Sequence, residues 1–382
     1  MRPDVIVVHD YATQRGGAER VALALSAAYP NHPMLTALYE PKLTFPDFAR
    51  MRISASFLNS VPAFRKNPQI ALPFLPLAWL LRRRAEAEAV VASSSGWAHA
   101  VRVHPGTKKI VYCHNPPRWL YQTEEYLLDR SGLVRFALGM LRPLLLAWDQ
   151  RAAASVDEYV ANSTSVAARI EQAYGRRATV VFPPTSIDVS AGRERPAGVP
   201  DDFYLTVGRR RGYKGTDQLV RAFEKMTDKR LVVVGGTESQ PASNVTVLNN
   251  IEDSQLRWLY ANATALLSIS KEDFGLTPIE ANAFGTPVLV LRAGGFLDSL
   301  SEGVSGRFFE DNSIEGIRRS IDAFPRDWDR QAIQQHAEQF SRENFLSRIE
   351  AVVSRALRDR PAGSQGAGVV TPGTSSEEER EG

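Results

Sequence analysis

The 382-residue chain carries 46 lysines and arginines against 43 aspartates and glutamates, a balance of +3 that excludes nucleic-acid binding driven by bulk charge. One ordinary core does not organise this length, so two domains of roughly 180 residues are expected, and a 43% hydrophobic content can fill both. A single cysteine, Cys113, excludes an intrachain disulfide and fits a reducing compartment, and no apolar run reaches the roughly 18 residues of a membrane span, so a cytoplasmic protein is expected.

Residues 4–8 are an apolar run that reads as a buried strand ending at His9-Asp10, with no leader-like segment before it. After a loop to Gly16-Gly17, Val21, Ala22, Leu25 and Ala28 recur at helical spacing. A glycine pair opening a helix lets backbone N–H groups approach an anion, with the helix dipole assisting, although a tight turn explains the same pair. The third glycine of the dinucleotide fingerprint is absent. Residues 70–81 are apolar but broken by Pro73 and Pro76, and Arg65-Lys66 and Arg82-Arg83-Arg84 flank them. Two readings of 65–84 stand: a patch that meets the anionic inner face of a membrane, and a core segment with a solvated polar flank.

Strands are expected at 88–92 and 109–113. The second delivers His114 at its carboxyl end, ahead of the proline-stiffened turn Asn115-Pro116-Pro117-Arg118. A histidine there suits a cleft, while most lone histidines are merely packed or exposed. A helix over 133–154, kinked or broken at Pro143, a strand at 158–161, a helix over 164–174 and a strand at 179–182 complete the first alternation. The Pro- and Gly-interrupted segment to Pro200 is the expected domain boundary.

The alternation restarts with a strand at 203–207, a basic loop over 208–215, a helix from Thr216, strands at 231–234 and 245–248, and a helix around 254–261. Residues 265–291 read ALLSISKEDFGLTPIEANAFGTPVLVL: a strand at 265–269, a loop over 271–276, a helix from Thr277 and a strand at 288–291. Thr277 suits the N-cap, Pro278 the first helical position and Glu280 the third, a capping box in which Glu280 could satisfy a backbone N–H and nothing more. Gly285 and Pro287 end that helix. Parallel strands joined by helices bring these glycine-rich loops, and Gly294-Gly295, to one carboxyl edge, where open α/β sheets bind ligands. Helices are expected over 314–323, 331–340 and 345–357, and the low-complexity tail 360–382 reads as disordered. Asp327-Trp328-Asp329 has the form of a metal-binding Asp-x-Asp, but its place between helices favours a surface role, and no Cys/His cluster suggests zinc.

Arg209 and Lys214 offer the guanidinium and ammonium that a departing diphosphate needs. A basic loop alone is ordinary surface; its combination with a helix N-terminus, two acids (Glu272 and Glu280) and a histidine across the cleft is not. This combination resembles the family-four retaining glycosyltransferases of GT-B fold, along nearly the whole chain to Leu357. The resemblance is carried by HDYATQRGGAERV, YCHNPPRWLY, VANSTSVAARIEQAYG with VVFPP, GRRRGYKG and EDFGLTPIEANAFGTPVLVLRAGG. The first two also resemble bacterial mannosyltransferase-like members that build surface glycans.

The resemblance implies two Rossmann-like β/α/β domains facing a central cleft: an acceptor-side domain over 1–190, a nucleotide-sugar donor domain over 200–330, and helices over 331–358 packing back toward the first. It implies that Glu272 binds donor-sugar hydroxyls, Glu280 the ribose, and Arg209 and Lys214 the diphosphate. Backbone N–H groups of Phe274, Gly275 and Leu276, with Thr277 beside them, would approach phosphate and sugar. Gly16 and Gly17 would lie beneath the diphosphate, and His114 near the reacting carbon. No metal or other cofactor is implied. The partners implied are the nucleotide-sugar donor, with GDP-mannose foremost, and a glycan or polyprenyl-linked acceptor. Three departures stand out: Asp298 where the family often has glutamate, no glycine in Asn249-Asn250-Ile251, and Pro117 where methionine is usual. A UDP-sugar transferase, a nucleotide-sugar epimerase or phosphorylase on the same scaffold, and a membrane-surface scaffold remain as alternatives.

Overall fold

A computed structural model describes residues 3–123, 132–208, 215–236 and 242–359. The tail 360–382 therefore lies outside the described residues, as do Arg209 and Lys214.

Two wholly parallel sheets organise the chain. The first contains β1 (Val5–Ala12), β2 (Met34–Tyr39), β3 (Ile53–Ala55), β4 (Ala89–Ser94), β5 (Lys108–Cys113), β6 (Glu158–Ala161) and β7 (Ala178–Val180), in the order β3-β2-β1-β4-β5-β6-β7. The second contains β8 (Tyr204–Val207), β9 (Leu231–Val234), β10 (Val245–Leu248), β11 (Ala265–Ser268), β12 (Val288–Val290) and β13 (Gly306–Phe308), in the order β10-β9-β8-β11-β12-β13. Central strands such as β4 and β9 are buried along their whole length, as near-continuous apolar runs must be when helices cover both faces of a sheet. The α/β two-domain expectation holds.

The strand orders locate the crevices. In the first sheet the chain leaves β1 on one side and returns on the other, so the switch lies between β1 and β4; in the second it lies between β8 and β11. His9 and Asp10 lie in the carboxyl half of β1, and the sheet pairs His9 with Ser93 of β4. The sequence places the end of β1 too early: the strand continues through both polar residues to Ala12. It also gives no sign of β2, β3 and β13, two of which are only three residues long. The helix Gly132–Ala154 runs unbroken through Pro143.

Two further differences concern packing. The helix Arg330–Glu338 stays with the second domain: Ile333 and Ala337 are buried, and Ala337 and Phe340 join Phe274 and Ile279 in one cluster. Only Arg342–Arg358 reaches the first sheet, where Phe345, Ile349 and Val353 share a core with Val5, Val7 and Tyr112. Asp329 of the Asp-x-Asp triplet caps the former helix, accepting from the N–H groups of Gln331 and Ala332. Residues 62–80 form three short helices, Pro62–Lys66, Pro68–Ala71 and Leu75–Leu80, each with proline in its first turn. Ala71, Leu75, Ala78 and Trp79 enter the core, while Ile70, Phe74, Leu77, Leu80 and Leu81 are exposed. The segment is thus core on one face and an apolar surface on the other. Among the described residues no helix is long and apolar enough to cross a membrane.

Candidate active site

The loop between β11 and the helix Leu276–Ala283 is shaped by tertiary contacts. Gly275, with φ of 84°, is the residue that enters the helix, and no side chain caps it. The capping box expected from Thr277 to Glu280 is therefore absent: the helix already starts at Leu276. The reason lies across the loop. A Cβ on Gly275 would stand 2.3 Å from the Phe296 ring, and one on Gly295 2.2 Å from Phe274 Cα, so the Gly294-Gly295 turn is seated against the backbone of 272–275. The Gly295 N–H donates to the Glu272 carbonyl at 2.9 Å. Phe274 stacks on Phe182, with ring centroids 5.5 Å apart, and also meets Phe340, so its side chain anchors the loop while its backbone borders the cleft.

Glu280, freed from capping, is buried, and its Oε2 accepts the Tyr260 hydroxyl at 2.8 Å. Burial first and the Glu280 carboxylate second push the Tyr260 phenol well above its usual range, so Tyr260 is a permanent donor; Arg20 of the first domain acts on it in the opposite direction. Glu272 is half-buried, and its Oε1 accepts from the Ser270 hydroxyl at 3.1 Å. The described ends of the basic loop are Gly208, whose N–H donates to Val234 O, and Gly215, which opens the helix Thr216–Glu224.

On the opposite side Gly16 is the extended N-cap of the helix Gly17–Ala28. A Cβ on Gly17 would come within 3.2 Å of Leu276 Cδ1, so two helix N-termini meet across the cleft. His114 is buried, and its Nε2 lies 2.8 Å from Ser93 Oγ. Ser93 Oγ and the Ser93 carbonyl in turn lie 3.1 and 3.2 Å from His9 Nδ1. A carbonyl only accepts, so His9 Nδ1 carries the proton; Ser93 then donates to His114 Nε2, and Nδ1–H is the donor His114 retains. Burial and then the neighbouring His9 push His114 down to about 3, and burial also lowers His9. Asp10 holds the adjoining turn by accepting from the N–H groups of Ser95, Trp97 and Ala98.

The sign of the histidine effect can be measured. An unfolded histidine takes a proton below its ordinary value of 6.5, whereas native His114 does not until about 3. Its stabilising contribution is complete above pH 6.5 and is lost progressively as pH falls toward 3. Between pH 7 and 5 the urea-derived unfolding free energy should fall by about 2 kcal/mol from this residue, and His114→Gln should flatten the slope. An equally steep profile in the variant would rule His114 out as the source.

Other cross-cleft contacts went unforeseen. Asp298, the short acid after the double glycine, accepts from Thr164 N–H at 2.7 Å and Thr164 Oγ at 2.8 Å, so it reaches the first turn of a helix in the opposite domain. Asp273 takes Arg118 on one carboxylate oxygen and Arg169 on the other. The structure thus gathers Gly16, Gly17, His114, Glu272, Phe274, Gly275, Leu276, Thr277 and Glu280 on loops and helix ends that border the two sheets' carboxyl edges. Among the described residues no cluster of His, Cys, Asp and Glu has the form of a metal site.

The chain matches the model of Glycosyltransferase Family 4 over residues 15–190 and that of glycosyl transferases group 1 over 193–342. It is 30% identical to a D-inositol 3-phosphate glycosyltransferase of Mycolicibacterium smegmatis, over 57% of this chain and 57% of that protein. It is 28% identical to D-inositol 3-phosphate glycosyltransferase 1 of Catenulispora acidiphila, over 67% of this chain and 75% of that protein. The match therefore spans little more than half the length of the first of these relatives. The Anabaena HepE protein, solved with UDP and glucose, has a TM-score of 0.64 at 16% identity, covering 92% of this chain and 99% of that one. Sucrose-phosphate synthase of Thermosynechococcus elongatus has a TM-score of 0.64 at 18% identity, covering 93% and 99%. At such identities these two structures establish a shared two-domain fold.

Proposed function

Because the chain belongs to the family-four glycosyltransferases and has their GT-B fold, we propose that it transfers a hexose from a nucleoside-diphosphate sugar to a glycan or polyprenyl-linked acceptor. The observation that carries this is the meeting of two helix N-termini, at Gly17 and Leu276, beside Glu272: a diphosphate between them is met by backbone N–H groups from both domains. The leading donor is GDP-mannose, supported by the likeness of HDYATQRGGAERV and YCHNPPRWLY to mannosyltransferase-like proteins of surface-glycan synthesis.

The bond from the anomeric carbon to the diphosphate breaks while the acceptor hydroxyl attacks the same face, and the departing phosphate oxygen takes its proton. Configuration is retained without a covalent enzyme intermediate. Charge gathering on the diphosphate is met by Arg209, Lys214 and the N–H groups at Gly16-Gly17 and Phe274–Leu276. His114 Nδ1–H and Glu272 orient the sugar, and Glu280, with Oε2 on Tyr260, has Oε1 for the ribose. This route uses no metal.

A screen of donor hydrolysis over GDP-, UDP- and ADP-sugars tests the reading without an acceptor. GDP-mannose should turn over fastest. A faster UDP-sugar would replace the donor, conversion of the sugar without release would mark an epimerase, and failure to bind any nucleotide sugar would end the proposal. The exposed apolar row from Ile70 to Leu81, with Arg83 and Arg84 exposed beside it, supports a peripheral contact with anionic lipid on the cytoplasmic side. Flotation with anionic vesicles should succeed for the native chain and fail for the Arg83→Glu/Arg84→Glu double variant; equal flotation of both would remove the contact.

A further inference from the structure

The ion cluster at Asp273 has the form of an occupied anion site. Arg118, in the turn after His114, places Nη2 2.5 Å from Asp273 Oδ2, and Arg169, on the helix Thr164–Tyr174, places Nη1 2.5 Å from Oδ1. Each carboxylate oxygen thus has its own guanidinium, and both guanidiniums come from the first domain while the carboxylate comes from the second. Arg169 is aimed by Asn115, whose Oδ1 accepts from the same Nη1 at 2.9 Å, and Asn115 donates onward to Gln122 at 3.1 Å. The arrangement is therefore built into the acceptor-side domain. It lies at the reacting end of the cleft, since Asp273 follows Glu272 and Arg118 stands four residues after His114.

Two guanidiniums that each bind one oxygen of a planar carboxylate bind two oxygens of a phosphate at least as well, and a dianion gains more from them than a single charge does. The cluster is within reach of solvent: the side chains of Arg118, Arg169 and Asp273 are 44%, 20% and 22% exposed. An incoming dianion replaces the carboxylate at both guanidiniums, so the exchange leaves neither cation unpaired. The domains also remain tied by Asp298 and Thr164 when Asp273 is released.

We propose that Arg118 and Arg169 form a subsite for a phosphate group carried by the acceptor, and that Asp273 occupies it until the acceptor arrives. The proposal rests on the transferase reading above and names an acceptor class: a phosphate-bearing molecule, either a polyprenyl phosphate or a water-soluble sugar phosphate. Its test uses the full chain with the donor side saturated by nucleoside diphosphate, titrated with inorganic phosphate by calorimetry. Asp273→Asn should bind phosphate about tenfold more tightly than the native chain, and Arg118→Ala or Arg169→Ala about tenfold more weakly. The charge-keeping Arg169→Lys should fall between, and thermal melts check that each variant is folded. Loss of nucleoside diphosphate binding by the native chain would strike at the transferase reading instead. If the nucleotide binds and phosphate affinity is the same in every folded variant, the cluster is an interdomain strut and the subsite is wrong. In transfer assays a short-chain polyprenyl phosphate and a hexose phosphate then separate the sources: the true acceptor is the one whose KM, more than kcat, rises in Arg169→Ala.

Discussion

Glu272→Ala should lower kcat/KM for glycosyl transfer at least about a hundredfold while shifting the melting midpoint by no more than about 2 °C. The asymmetry follows from what holds the loop. Its backbone is fixed by the Gly295 N–H on the Glu272 carbonyl and by the seating of Gly294 and Gly295 against 272–274, none of which involves the Glu272 carboxylate. The half-buried carboxylate accepts from Ser270 within its own loop, so truncation leaves a small polar surface for water to fill. Glu280→Ala should behave differently. Its carboxylate is buried against the Tyr260 hydroxyl, and removing it strands that hydroxyl at a cost of about 1–3 kcal/mol in unfolding free energy, together with weaker nucleotide binding. Full transfer by Glu272→Ala would show that the residue does not orient the sugar.

The contrast between these two acids marks where reading the sequence succeeds. Strand–loop–helix periodicity locates the 265–291 unit, and β11, β12 and the helix between them stand within a few residues of where the pattern puts them. What Glu280 bonds to is not a local property. The Thr-Pro-Ile-Glu pattern asks for a capping box, and the chain instead turns at Gly275 because Phe296 and the Gly294-Gly295 turn, some twenty residues on, fill the space beneath it. The His9–Ser93–His114 relay is hidden in the same way. Two of its members lie on strands and the third, His114, directly follows a third strand, and only the parallel register of β1, β4 and β5 makes them neighbours. Asp298 was legible as the acid after the double glycine and Asp273 was not singled out at all; their partners Thr164, Arg118 and Arg169 belong to the other domain, and no spacing along one chain reveals a pairing across a cleft. The strands β3 and β13 were missed for a simpler reason: each is only three residues long, so periodicity has little to act on.

Gly295→Ala should be severely damaging although it adds a single methyl group. The backbone at Gly295 has φ of −70°, which any residue adopts, so conformational strain is not the objection. Space is. The added Cβ would stand 2.2 Å from Phe274 Cα, 2.4 Å from the Asp273 carbonyl oxygen and 2.6 Å from Phe274 N, all backbone atoms that cannot rotate away. Phe274 cannot retreat either, because its ring is held by Phe182 and Phe340. The clash must therefore be relieved by moving the Phe296–Ser299 helix, which carries Asp298 to Thr164, or by displacing the loop that presents Glu272. Overpacking of this kind costs about 1–3 kcal/mol, and a shift of about 1 Å at a positioning residue costs about a hundredfold in rate. Both effects should appear: a lower urea midpoint and a kcat for donor turnover reduced about a hundredfold. Gly192→Ala is the matched control, since its Cβ would meet nothing within 4 Å, and it should leave both quantities unchanged. Native-like turnover by a folded Gly295→Ala protein would mean that the double-glycine turn does not set the position of the donor loop.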